Sequence, residues 1–149
     1  MSNIRRTTCV SLAAFALACT FAAIPTRSMA GVGKITNADL YGTWMATLSG
    51  FTGCGSSAMH AAINMNAAGT GTVTLTTHGS CGDSVVTNQT FTVQTLDGLT
   101  GAGTANLTCG PSCGWNLRIQ VSPDRQVMNL VDVDPVNPGN YIAGVAVHQ

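Results

Sequence analysis

The sequence predicts an all-β protein, in which eight antiparallel strands form a meander that closes into a small barrel, round or flattened, with disulfides at one rim. Apolar residues recur with period two through most of the chain after residue 40. Thr, Gly, Ser and Asn are abundant, whereas Lys is scarce and Glu is absent. Closure of the meander would leave no edge strand and no wet apolar face. The alternative is a small β-sandwich, whose long cross-sheet connections are not visible in the sequence.

The first thirty residues have the features of a bacterial export signal. Arg5 and Arg6 give a positively charged start, and the Ala-rich apolar run Cys9–Ile24 is too short to span a membrane comfortably. A proline ends the run, and a small-x-small cleavage site closes at Ala30. We therefore expect a signal peptide cleaved after Ala30 and a secreted or periplasmic protein that has no transmembrane helix in its mature form. The alternatives are an uncleaved membrane anchor and a lipid tether at Cys19.

After the signal, we expect an N-terminal segment, residues 31–38, and a single β-barrel domain, residues 39–149. This part of the chain has three cationic side chains, Lys34, Arg118 and Arg125, against six aspartates, so its net charge is near −3. Nucleic-acid binding needs a basic surface, and the sequence does not supply one. No nucleic-acid partner is therefore expected, and the oligomeric state is left open.

The first four strands are each delimited by alternation and by turn signals. Their inward positions include Trp44, Ile63, Leu75 and Phe91, which alternate with polar residues. A turn signal at residues 66–69 separates the second strand from the third, and an Asp-Gly dipeptide ends the fourth. The expected strands are Leu40–Ser49, Ala58–Asn66, Thr72–His78 and Val85–Thr95.

The last four strands are predicted in the same way. Small residues, among them Gly101 and Ala105, line one side of the fifth strand, and Trp115 opens the apolar face of the sixth. A Ser-Pro-Asp-Arg turn precedes the seventh strand, whose poor alternation indicates two covered faces or a bulge. The expected strands are Gly101–Thr108, Trp115–Val121, Val127–Val133 and Tyr141–His148.

Four cysteines follow the signal, and an even number in an exported domain indicates disulfides. Alternate connections of a meander lie at the same end, so Cys54, Cys81, Cys109 and Cys113 should share one rim. The Gly-Pro after Cys109 favours a reversal, which would pair Cys109 with Cys113 and leave Cys54 to pair with Cys81. Zinc binding and a redox-active pair are the alternatives, although no Cys-x2-Cys spacing is present.

Leu40-Tyr41-Gly42-Thr43-Trp44 resembles the Gly-x-Trp strand that opens calycin barrels of the lipocalin and avidin type. The resemblance covers residues 39–47 together with the count of eight strands. It implies a small apolar molecule held in the mouth of the barrel. Met45 stands where the family has an aromatic or basic residue. Up to His148-Gln149, the sequence predicts neither the C-terminal helix nor the late Arg that stacks on the Trp in lipocalins.

The function expected from this resemblance is a non-catalytic binding module for a small apolar ligand. Many other inward positions carry Gly or Ala, which either flattens the barrel or leaves a cavity. The alternative is a structural or protein-interaction domain with a self-filled core, on the surface or inhibitor-like. The candidate ligand-binding residues are the large inward side chains Trp44, Ile63, Leu75, Phe91 and Trp115.

Two sets of polar residues suggest catalysis or metal binding, and neither matches a recognised motif. His78 and Asp83, with Ser80 or Ser84, would form a hydrolytic site, but no Gly-x-Ser-x-Gly elbow is present. By alternation, the three histidines, His78 included, are expected to point away from the core. No catalytic residue is therefore expected.

The second set of polar residues lies in the connection before the last strand. Asp132, Asp134, Asn137 and Asn140 offer oxygen ligands for Ca²⁺, but the spacing of an EF-hand loop is absent. Turn capping by these side chains explains the same pattern. No metal and no cofactor are therefore expected.

Overall fold

A computed structural model describes residues 33–53, 55–111, 113–133 and 139–149. These residues belong to a compact unit spanning Gly31–Gln149. The expected signal peptide, with Cys19, lies outside the described residues, so its cleavage stays a prediction. Among the described residues, no helix reaches the length and apolarity needed to cross a membrane.

The described residues form an all-β fold, as the sequence predicts. A short 3₁₀ helix, Asn37–Leu40, precedes eight strands, each antiparallel to its neighbours in the chain. Pairing of the first strand with the last closes the sheet into a barrel, so the sandwich alternative is wrong. The strands are β1 (Gly42–Thr52), β2 (Gly55–Met65), β3 (Thr70–Gly79), β4 (Gly82–Leu96), β5 (Ala102–Gly110), β6 (Cys113–Val121), β7 (Val127–Asp132) and β8 (Tyr141–His148).

The core lies inside the barrel and is built from the inward positions of the strands. Fully buried side chains come from every part of the wall, for example Trp44 of β1, Phe91 of β4 and Leu130 of β7. Burying one large apolar side chain contributes about 1.5–3 kcal/mol relative to leaving it in water. The period-two pattern of the sequence is therefore the main source of the fold's stability.

β4 departs from simple alternation because it carries two register shifts. Its pairing with β3 shifts between Val73 and Leu75, and its pairing with β5 shifts between Val93 and Thr95. Asn88, near the first shift, has a positive φ of 56°. The extra residue reverses the inward phase, which leaves Val85 65% exposed.

β7 is regular, so the predicted bulge or double coverage is wrong. Its pairing with β6 runs without a register shift, and Met128 and Leu130 face the core. Val131, the residue after Leu130, faces outward and is 49% exposed. The poor alternation of this strand therefore reflects apolar residues on the outer surface of the barrel.

The N-terminal segment seals one end of the barrel. Leu40 is fully buried, and its carbonyl accepts a hydrogen bond of 2.9 Å from Trp44 Nε1. The segment also contacts all three connections at this end: Asn37 donates to Ala68 O at 3.2 Å, Ile35 N donates to Gly98 O at 2.8 Å, and Asp39 forms an ion pair with Arg125. We call this the sealed end, and the opposite one, where β1, β3, β5 and β7 end, the rim.

A pocket at the cysteine-bearing rim

A pocket of about 370 Å³ opens at the rim. This volume lies within the range of small-molecule sites. Its deeper wall is apolar and comes from Met59 of β2, Leu75 of β3, Val86 of β4 and Trp115 of β6. The first register shift of β4 is what turns Val86, rather than Val85, toward this space.

Polar groups surround the mouth of the pocket. Ser57, which is buried, shares a hydrogen bond of 2.9 Å with the Thr52 hydroxyl, so these two groups satisfy one another. Asp83 and Ser84, at the start of β4, are exposed there. The pocket is therefore apolar inside and hydrated at its edge.

The cysteines of the rim line the same pocket. Cys109 and Cys113 form a disulfide with Cα atoms 5.0 Å apart, which confirms the predicted pairing. Cys81 also lines the pocket and is disulfide-bonded. Cys54 lies outside the described residues, so its pairing with Cys81 stays a prediction.

Two buried polar atoms of pocket-lining side chains have no hydrogen-bond partner among the described residues: Trp115 Nε1 and Asn140 Oδ1. Trp115 as a whole is 4% exposed. The indole of Trp44, by contrast, donates to Leu40 O. A buried donor left without a partner costs about 1–3 kcal/mol, so the two atoms need an explanation.

The structure divides the five candidate ligand-binding residues into two groups. Leu75 and Trp115 line the rim pocket. Trp44, Ile63 and Phe91 do not; they lie in the half of the barrel next to the sealed end and are fully buried in the core. Among the described residues, interior positions near the N-terminal segment are filled by side chains, whereas the rim half contains the pocket.

His148 faces the interior of the barrel, contrary to the sequence prediction. Its ring stacks on Trp44 at 4.8 Å between centroids, and its Nε2 lies 3.1 Å from Tyr41 O. It shares the inward face of β8 with Ile142 and Ala146, whereas the more apolar residues Tyr141, Val145 and Val147 face outward, so alternation alone favours the wrong face. A late side chain does therefore cover Trp44 in this chain, although it is a histidine.

His78 and Asp83 face each other across the β3–β4 hairpin, with His78 Nδ1 2.8 Å from Asp83 Oδ1. Their side chains are 66% and 71% exposed, which is the setting of a surface ion pair.

In the described ranges, no three His, Cys, Asp or Glu side chains cluster closely enough to hold an ion. Asp134 and Asn137 of the Ca²⁺ alternative lie outside those ranges. Asn140 lines the rim pocket. Neither alternation nor a turn signal in the sequence predicts that Asn140 lines a pocket.

Comparison with known proteins identifies no relative: no protein family matches the chain, and neither a curated protein nor a solved structure matches it significantly. The geometry itself defines the class. This is a small closed antiparallel β-barrel, sealed at one end by its N-terminal segment and carrying a pocket at the other. That architecture is compatible with the calycin type that Gly42-Thr43-Trp44 resembles.

Proposed function

We propose that this protein is a non-catalytic binding module that holds a small, mainly apolar molecule in the rim pocket. The observation that carries the proposal is a pocket of about 370 Å³ with an apolar wall inside an otherwise packed barrel. Transfer of apolar ligand surface from water to such a wall contributes about 25 cal/mol per Å². The calycin resemblance of the first strand points to the same function.

The walls of the pocket suit a preformed site. They belong to strands paired on both sides, and the Cys109–Cys113 disulfide fixes the β5–β6 connection beside Trp115. A site that is already ordered loses less conformational entropy when a ligand binds. Binding is therefore expected to leave the strand pairing unchanged.

Fluorescence titration with the neutral probe N-phenyl-1-naphthylamine tests the proposal. We expect saturable binding to the native protein. Thr77→Trp places a large ring in the pocket and should lower affinity by about tenfold or more. Thr74→Trp, on the exposed face of the same strand, is the matched control and should bind as the native protein does. Absence of saturable binding, or equal affinity of both variants, would overturn the proposal.

We also propose that the protein works outside the cytoplasm after cleavage at Ala30. The export features of the first thirty residues support this, and so does the disulfide at the rim, because disulfides persist in oxidising compartments. Sequencing the N-terminus of protein from the periplasm and the medium should give Gly31 as the first residue. A cytoplasmic protein that retains Met1 would contradict export.

A second candidate function, self-association, is favoured by the outer face of β8. Val145 and Val147 are exposed there, Val131 extends the face onto β7, and Phe51 stacks on Tyr141 at 6.5 Å. The neighbours of Val145 across the sheet, Thr47 and Asn129, are uncharged. Arg118 is the neighbour of Val131 on β6, so two copies avoid opposing like charges by meeting over β8 around Val145, and we take a second copy of the chain as the partner.

Sedimentation equilibrium tests whether the protein self-associates through this face. A dimer that dissociates in Val145→Lys, but not in Thr74→Lys on the opposite wall, would support self-association. A native protein that stays monomeric over the accessible concentration range would exclude it.

A further inference from the structure

The rim pocket contains more than an apolar wall, because two of its lining side chains carry buried polar atoms of opposite kind. Trp115 Nε1 can only donate a hydrogen bond, and Asn140 Oδ1 can only accept one. Neither has a partner among the described residues. Buried polar groups without protein partners are commonly completed by a bound molecule or water.

We propose that the molecule held in the rim pocket is neutral and bears a hydroxyl or carboxamide group on its apolar body. The inference rests on the proposed binding function. A hydroxyl accepts from the indole N–H and donates to the amide oxygen, and a carboxamide does the same through its carbonyl and its N–H. A hydrocarbon satisfies neither atom, and a carboxylate, which only accepts, leaves Asn140 Oδ1 unpaired.

The charge distribution favours a neutral ligand over an anion. The described lining residues include no Lys or Arg, and Asp83 stands at the mouth. Of the three cations after residue 30, Lys34 and Arg125 belong to the sealed end, and Arg118 projects from the outer face of β6. A buried carboxylate would therefore lose its hydration without gaining a countercharge.

A cation is disfavoured for a related reason. The carboxylate of Asp83 already pairs with His78 at 2.8 Å and lies on an exposed hairpin. It is too well solvated to offset the desolvation of an ammonium group deeper in the pocket. Hydroxyl and amide groups carry a smaller desolvation cost and match both unpaired atoms.

The polar group gains these contacts without breaking a protein hydrogen bond, because the two atoms make none in the structure. Both atoms are shielded from solvent, so contact requires the Trp115 and Asn140 side chains to rotate toward the pocket. Such rotamer adjustments are common on binding. The wall formed by Met59 and Leu75 would then cover the apolar body.

The test uses three compounds that share one benzene ring and a two-carbon arm: ethylbenzene, 2-phenylacetamide and phenylacetate. Dissociation constants are measured by NMR titration for the native protein and for Trp115→Phe, Asn140→Ala and Thr74→Ala. The informative quantity is the affinity ratio of phenylacetamide to ethylbenzene. When this ratio is compared between the native protein and a variant, the difference in hydration free energy between the two compounds cancels.

We expect the ratio to fall about threefold to tenfold in Trp115→Phe and in Asn140→Ala, since each removes one hydrogen-bond partner. Thr74→Ala, on the exposed face of β3 and away from the pocket, should leave the ratio unchanged. Phenylacetate should bind more weakly than the amide. Asn140→Ala keeps the test decisive if Trp115→Phe does not fold.

Two contrary results are distinguishable. The polar-group inference is overturned if the compounds bind but the ratio is unchanged in both variants, as it would be if a buried water occupied the two atoms. It is also overturned if phenylacetate binds more tightly than the amide. Either result leaves the proposed function standing. Failure of all three compounds to bind in the pocket overturns the proposed function, and the inference with it.

Discussion

Two tryptophans of this barrel have indole N–H groups in opposite situations. Trp44 is buried near the sealed end, donates to Leu40 O at 2.9 Å and stacks on His148. Trp115 is buried near the rim, and its Nε1 has no partner among the described residues. The first N–H contributes to stability, whereas the second costs free energy that a ligand can recover.

The same substitution at both positions should therefore have unequal effects. Trp44→Phe removes a satisfied hydrogen bond and leaves the Leu40 carbonyl unpaired, so we expect it to lower the free energy of unfolding by about 1–3 kcal/mol more than Trp115→Phe does. Urea denaturation of the two variants measures the difference. Equal losses would show that the two N–H groups are equivalent in the fold.

At the scale of elements, the N-terminal segment depends on ionised aspartate. The pKa of Asp39 lies below its usual value, mainly because its carboxylate accepts hydrogen bonds from the backbone N–H and then the hydroxyl of Thr36. The positive charge of Arg125 lowers the pKa further. Arg125 Nε lies 3.0 Å from Asp39 Oδ1, although it is not aligned as a hydrogen-bond donor. Hydrogen bonds from their turns also lower the pKa values of Asp97 and Asp124, at the same end.

This arrangement fixes the sign of the pH dependence. A carboxyl with a lowered pKa in the folded state contributes stability above its unfolded pKa, about 4, and loses it as the pH falls through the lower folded pKa. At about pH 6, Asp39→Asn should lower the free energy of unfolding by about 1 kcal/mol. The difference from the native protein should shrink toward zero as the pH falls through the lowered pKa of Asp39.

Urea denaturation across this pH range measures both curves. Asp83→Asn, which removes one carboxylate from the exposed hairpin at the rim, controls for the change in net charge. Curves for Asp39→Asn and the native protein that stay parallel down to low pH would mean that Asp39 does not stabilise the sealed end through its charge.

At the scale of the whole molecule, barrel closure requires β1 and β8 to approach closely. Leu48 pairs with Gly144 across this seam, and a Cβ on Gly144 would overlap the Thr47 carbonyl oxygen. Gly144→Ala should therefore lower the free energy of unfolding by about 2–3 kcal/mol or prevent folding. Gly53→Ala, where a Cβ meets nothing within 4 Å, is the control. Equal stability of the two variants would contradict a tight seam.

Much of this architecture could be predicted from sequence because it depends on local patterns. Alternation and turn residues define the strands, and the parity of the connections places Cys81, Cys109 and Cys113 at one rim. The site was harder to predict. The register shift that turns Val86 inward has no distinct sequence signal, and Asn140 lines the pocket from a position just before β8, outside the alternation of that strand. Which half of the interior is filled depends on packing volumes that alternation does not encode.

The central claim is that the rim half of the barrel, and not the sealed half, receives a small molecule. The two indole N–H signals in ¹H–¹⁵N NMR spectra report on these halves separately, since Trp115 lines the pocket and Trp44 is bonded within the core. During titration with 2-phenylacetamide, we predict a saturable shift of the Trp115 signal and an unchanged Trp44 signal. A Trp115 signal that does not move, or equal shifts of both, would contradict the account.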